Sequence, residues 1–166
     1  MQERGFKKPL RYRGHDYRAP CCVHVTICTW QRQRLFGSVT REGGSLSNAG
    51  ELAEQSLLAL HSEATGIAVD TYTVMPDHVH LLCEVPSADR SLLSYTHAFK
   101  RDTGFAYRQS TGAHLWQPSY FDRGLRYDDD RAEVIAYIVL NPVRAGLVAC
   151  ITEYPYVGST TMPREL

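Results

Sequence analysis

The chain has 166 residues, enough for one domain with a real hydrophobic core, and an ordinary apolar share of 43%. Its 18 Lys and Arg balance its 18 Asp and Glu, which argues against a broadly basic surface but leaves room for local patches. No run approaches the roughly 20 apolar residues that span a bilayer, and the first twenty residues hold no apolar stretch like a secretory signal. The expected location is therefore cytoplasmic, with no membrane partner.

Residues 1–20 read as a basic arm carrying Arg11 and Arg13. Residues 21–30 alternate and are rich in β-branched types, so they predict a strand, with His24, Thr26 and Cys28 on one face. A polar connection follows over 31–47. Asn48-Ala49-Gly50-Glu51 has the Asn-x-x-Glu form of a helix start, and Leu52, Ala53, Leu57, Leu60 and Ala64 supply an apolar face before a stop at Gly66. A second strand is expected over 67–75, a break at Pro76-Asp77, and a third strand over 78–85. Ser91 is placed to cap a helix reaching about residue 109. Residues 115–125 predict a loop and a short strand. Asp128, Asp129 and Asp130 open a third helix, where acidic residues suit the positive end of its dipole, and Pro142 should end or kink it near Asn141.

The order β-α-β-β-α-β-α is that of an α+β, ferredoxin-like split β-α-β fold with an added C-terminal helix. It predicts an antiparallel sheet with helices on one face. We take 21–150 as the single domain and 151–166 as a tail. The five cysteines include an adjacent pair and no Cys-x-x-Cys, which suits reduced thiols better than disulfides or a cysteine-based zinc site.

His78 and His80 flank one apolar residue on the third strand, so both side chains point the same way and can meet on one divalent cation. A second constellation lies at 137–148. Tyr137 and Asn141 are four apart and share a helix face if the helix persists that far. A tyrosine hydroxyl beside a cation-bound phosphate can attack phosphorus. The Asn141 carbonyl oxygen is a candidate third ligand, and hard oxygen ligands suit Mg²⁺ or Mn²⁺.

Three motifs occur in order: Met75-Pro76-Asp77-His78-Val79-His80-Leu81-Leu82, Leu115-Trp116-Gln117-Pro118-Ser119-Tyr120-Phe121-Asp122-Arg123, and Tyr137-Ile138 followed by Asn141-Pro142-Val143-Arg144-Ala145-Gly146-Leu147-Val148. Together they resemble the REP-associated tyrosine transposases, IS200-like members of the single-tyrosine HUH transposases and nucleases, over about residues 12–150. The resemblance implies that His78 and His80 are the metal pair, that Tyr137 is the nucleophile, and that Asn141 completes the metal site. It implies cleavage of single-stranded DNA beside imperfect hairpins, a 5′-phosphotyrosine link, a free 3′-OH and strand rejoining, by a monomer or homodimer. No Gly-rich phosphate loop is present, as expected where the ester conserves the energy of the broken bond. Arg11, Arg13, Lys100, Arg101 and Arg144 are candidates for the DNA backbone, and Trp116, Tyr120 and Phe121 for stacking on unpaired bases.

Two alternatives stand beside this. A histidine-triad nucleotide hydrolase needs a further histidine at position 82, which is Leu. A domesticated hairpin-DNA-binding protein keeps the fold without cutting.

Overall fold

The computed structural model describes residues 21–40, 43–60, 66–87, 91–125 and 129–159. The N-terminal arm, with Arg11 and Arg13, lies outside the described residues, as do Ala64 and Asp128.

Alternation along Cys21–Cys28 builds strand β1, whose Val23, Val25 and Ile27 are fully buried on one face. The connection expected after it is instead a hairpin, β2 (Gly37–Thr40) and β3 (Gly43–Leu46). The Tyr156 hydroxyl pins it, accepting from Leu46 N–H at 2.7 Å and donating to the Gly44 carbonyl at 2.9 Å. Helix α1 (Asn48–Leu60) starts where expected, but Ser47 does the capping: its hydroxyl accepts from Gly50 N–H at 3.2 Å. Gly50 has a steric reason, since a Cβ there would stand 2.3 Å from the Phe36 carbonyl oxygen.

Strands β4 (Ala68–Met75) and β5 (His78–Val85) form a hairpin across the two-residue turn at 76–77. Helix α2 (Leu92–Thr111) is capped by Ser91, whose hydroxyl accepts from Ser94 N–H, and stops at Gly112 in the left-handed region. Then come β6 (Phe121–Gly124), α3 (Arg131–Val139), capped by Asp130, the single-turn α4 (Asn141–Arg144), and β7 (Val157–Ser159).

The sheet order is β6-β1-β5-β4-β7, with every pairing antiparallel. Within the β-α-β-β-α-β core this is the ferredoxin-like arrangement. The segment after 150 is more than a tail: β7 adds an edge to β4, and Tyr154 is buried with its hydroxyl on the Val74 carbonyl at 2.6 Å.

One sheet face carries the apolar set of Val25, Ile27, Val74, Val79 and Leu81. Against it pack Ala53 and Leu57 of α1 and Tyr95 and Phe99 of α2, each large side chain contributing about 1.5–3 kcal/mol of hydrophobic stabilisation. The expectation of all helices on one face fails for α3, which lies on the opposite, polar face over β4 and β5. Strand β4 is consequently buried on both sides, including Asp70, Thr71 and Thr73.

Polar anchors explain how so short a helix covers a polar face. Arg131 at its start bonds the buried Asp70 carboxylate at 3.0 Å and also Glu84. Near its end, the Ile138 carbonyl accepts the Thr73 hydroxyl at 2.7 Å. Pro142 has no N–H to offer that carbonyl, four residues back, so the proline that breaks the helix also leaves an acceptor for the sheet.

Candidate active site

The register places Thr73, His80, Thr26 and Phe121 in one row across β4, β5, β1 and β6, with their side chains on the polar face. His78 lies one step along β5, opposite Cys28 and Met75. The turn before it is held by Thr29, whose N–H and hydroxyl both donate to the Asp77 carbonyl at 2.9 Å.

From this turn the Asp77 carboxylate reaches His78 Nδ1 at 2.7 Å. Donation to a carboxylate puts the proton on Nδ1 and leaves His78 Nε2 with a bare lone pair. Burial opposes ionisation of Asp77, but the hydrogen bond to His78 and the nearby Arg32 guanidinium hold its carboxyl below the ordinary value. His78 Nε2 faces His80 Nε2 at 3.1 Å. The other nitrogen of His80, Nδ1, contacts Thr26 Oγ1 at 3.0 Å and His24 Nε2 at 3.1 Å. Burial, then the charges of His78, His24 and Arg32, push His80 down to about 3. Burial and then Arg123 push His24 down to about 4. Both rings are thus neutral at ordinary pH.

A bare Nε2 turned toward a second Nε2 at this separation needs a proton or a cation between them. Two imidazoles at right angles around a cation, each at about 2.1 Å, stand about 3.0 Å apart, which matches the His78–His80 spacing. Among the described residues no group of three or more His, Cys, Asp or Glu could close around a metal ion. A cation held by His78 and His80 would take its remaining ligands from elsewhere.

Tyr137 projects from α3 over this cluster. Its ring lies 5.8 Å from the rings of both His24 and His80, edge-on, and its side chain is 38% exposed. The Arg144 guanidinium sits 4.8 Å from the Tyr137 ring centre. Tyrosine and histidine pair thus meet within one chain.

Asn141 does not share a continuous helix with Tyr137. The helix breaks at Leu140 (φ −83°, ψ 4°), Asn141 opens α4, and its side chain makes no hydrogen bond among the described residues. His24 is the residue brought close without a motif to announce it; the sequence signal was its place on the polar face of β1 beside Thr26.

The DNA-contact candidates scatter. Lys100 and Arg101 ride on α2, across the sheet from the histidines. The Lys100 ammonium braces a loop through the carbonyls of Gln117, Pro118 and Ser119 at 2.7, 3.1 and 3.4 Å. Arg101 is paired with Asp102. Trp116 corrects the stacking expectation: it is 7% exposed, packs between Phe36 and Phe99, and its indole N–H donates to Thr103 at 2.8 Å. Phe121, by contrast, is 54% exposed. All five cysteines are free. No helix of the described residues is long and apolar enough to cross a membrane.

The family model described as "Transposase IS200 like" matches residues 18–139. The chain belongs to this family. Among curated proteins it is 21% identical over 159 residues to an uncharacterized protein of Haemophilus influenzae, covering 82% of this chain and 88% of that one. It is 25% identical over 89 residues to the REP-associated tyrosine transposase of Escherichia coli K12, a match spanning 53% of this chain and about half (52%) of the relative. Among solved structures, a REP-associated tyrosine transposase bound to a REP hairpin superposes with a TM-score of 0.67 at 18% identity, covering 86% of this chain and 79% of that one. The match extends the IS200-like fold to the chain's sheet and helices.

Proposed function

We propose that this transposase-family chain cleaves and rejoins single-stranded DNA beside REP-type hairpins, with Tyr137 as nucleophile and Mg²⁺ or Mn²⁺ on His78 and His80. The observation that carries the reading is Tyr137 standing 5.8 Å, ring to ring, from His80 in the same chain. The capture of a similarly folded relative on a REP hairpin supports hairpin DNA as the partner.

In this reading the Tyr137 oxygen attacks the scissile phosphorus and the P–O3′ bond breaks. The products are a 5′-phosphotyrosine and a free 3′-OH, and the reverse attack by a 3′-OH rejoins the strand. When bound, the cation neutralises charge developing on the phosphoryl oxygens and orients the leaving oxygen. Asp77 fixes the His78 tautomer, and Thr26 and His24 hold the His80 ring. Arg144 steadies the Tyr137 ring and lies beside the phosphate path. Asn141, one residue past the break, is a candidate further oxygen ligand. In this reading the tyrosine acts on the strand held by its own chain, as its 5.8 Å ring-to-ring approach to His80 supports.

The test is a denaturing gel of the protein incubated with labelled single-stranded hairpin DNA and Mg²⁺ or Mn²⁺. A covalent adduct is expected, abolished in Tyr137→Phe and greatly reduced in His78→Ala and His80→Ala. Unchanged cleavage in Tyr137→Phe overturns the nucleophile. Binding with no adduct under either metal makes the chain a hairpin-binding protein that does not cut.

A further inference from the structure

Exposure on the polar face rises steadily along the row that contains His80. Thr73 on β4 is 0% exposed, His80 on β5 5%, Thr26 on β1 partly exposed, and Phe121 on β6 54%. The next row repeats the pattern: Thr71 at 1%, Leu82 at 0%, His24 partly exposed, and Arg123 with two thirds of its side chain (67%) in solvent. Among the described residues α3 packs chiefly over β4 and β5, reaches β1 through Tyr137 at His24, and leaves the edge strand β6 the more open.

The open half of the face thus presents an aromatic ring and a guanidinium two residues apart on one edge strand. Phe121 stands about 10 Å, or two strand spacings, from His80. Among the exposed large apolar side chains described, Phe121 and Tyr137 are the aromatic ones on this face; Phe105 lies on α2, in the other layer. Asp129 engages Arg123 through one Nη at 2.7 Å, while two thirds (67%) of the arginine side chain stays in solvent. Below them, the Lys100 brace on carbonyls 117–119 fixes the loop that delivers β6.

An exposed π-face beside a basic side chain is the arrangement that binds unpaired nucleotides without reading their edges. We propose that β6 is the docking strip for the single-stranded flank of the scissile phosphate, with Phe121 stacking a neighbouring base and Arg123 holding the adjoining phosphate. This rests on the nuclease reading above and adds the route by which the strand crosses the sheet.

The test uses the full chain in a Tyr137→Phe background, so that no cleavage competes, with single-stranded oligonucleotides carrying 2-aminopurine at successive flanking positions. One position should show quenched fluorescence, and Phe121→Ala should abolish that quench. The same change should weaken binding about 5- to 150-fold, the range for losing one base–aromatic stack. Phe121→Trp should restore both. Arg123→Ala should reduce the slope of log affinity against log salt by about 0.7, as for one single-strand phosphate contact. Thermal melting controls for folding. Binding and quench unchanged in Phe121→Ala overturn the proposal, as does an equal loss on blunt duplex DNA. The two readings fail separately: an adduct from the unaltered chain with no effect of Phe121→Ala removes only the docking strip, whereas no adduct with lost stacking removes only the chemistry.

Discussion

Replacing Arg131 by methionine tests whether the tyrosine helix is held down by charge. Arg131 is the first residue of α3, and its guanidinium bonds both Asp70, 2% exposed, and Glu84. Methionine keeps the apolar stem and removes the charge, leaving the Asp70 carboxylate buried without this partner. Removing one member of a fully buried pair costs about 3–5 kcal/mol. Here the arginine side chain is 44% exposed, so solvent screens part of the interaction and the expected loss falls to about 2 kcal/mol. For a chain of this size that is a fall in Tm of about 4–8 °C. The assay is urea unfolding of the wild type, Arg131→Met, Asp70→Asn and the double variant. A coupling of about 1 kcal/mol or more is expected, because the double variant no longer buries a carboxylate that has lost its arginine. If Arg131→Met unfolds within about 0.5 kcal/mol of wild type, or the changes are additive, the Arg131 ion pairs do not hold α3 and the argument fails.

The remaining predictions concern the neutral histidines and the buried indole. His24 and His80 have folded values of about 4 and about 3, both below the unfolded value of about 6.5. The unfolded chain therefore binds protons that the folded chain refuses, and stability, full above pH 6.5, falls as pH drops from there toward the folded values. At pH 5 each ring accounts for a loss of up to about 2 kcal/mol. In chelator-treated protein, His24→Gln should flatten this acid limb between pH 6.5 and 5, and an unchanged limb contradicts the assignment. Trp116→Phe should cost about 1–3 kcal/mol, from the lost Thr103 bond and the space left between Phe36 and Phe99. It should leave DNA affinity within about twofold; a stable variant that no longer binds DNA would return Trp116 to the interface.

The parts of the fold legible in the sequence are those written in local pattern. Alternation marks β1 and β5, Ser91 marks the start of α2, and Pro142 marks the break after α3. The hairpin at 37–46 was hidden because its two strands are four residues each, both open on Gly, and are fixed by Tyr156, more than a hundred positions away. The start of α1 was legible but its cap was not, because Ser47 and Asn48 are both good caps and only geometry chooses between them.

The polar face shows a deeper limit. His24, Thr26, Thr71, Thr73, His78 and His80 alternate with apolar residues as if facing solvent, yet Thr71, Thr73 and His80 are buried beneath α3. Hydrophobic periodicity cannot announce a layer docked through Arg131 to Asp70 and Thr73 to the Ile138 carbonyl, because neither bond leaves an apolar trace. The same Pro142 that was readable as a helix stop denies that carbonyl its helical donor four residues on, which helps link the third motif to the sheet that carries the first. Tyr137 and the histidines lie more than fifty positions apart in the chain; Arg131 on Asp70 and Thr73 on the Ile138 carbonyl bring them together. Local rules can place each half, but the docking of one on the other follows from hydrogen bonds that only the folded chain defines.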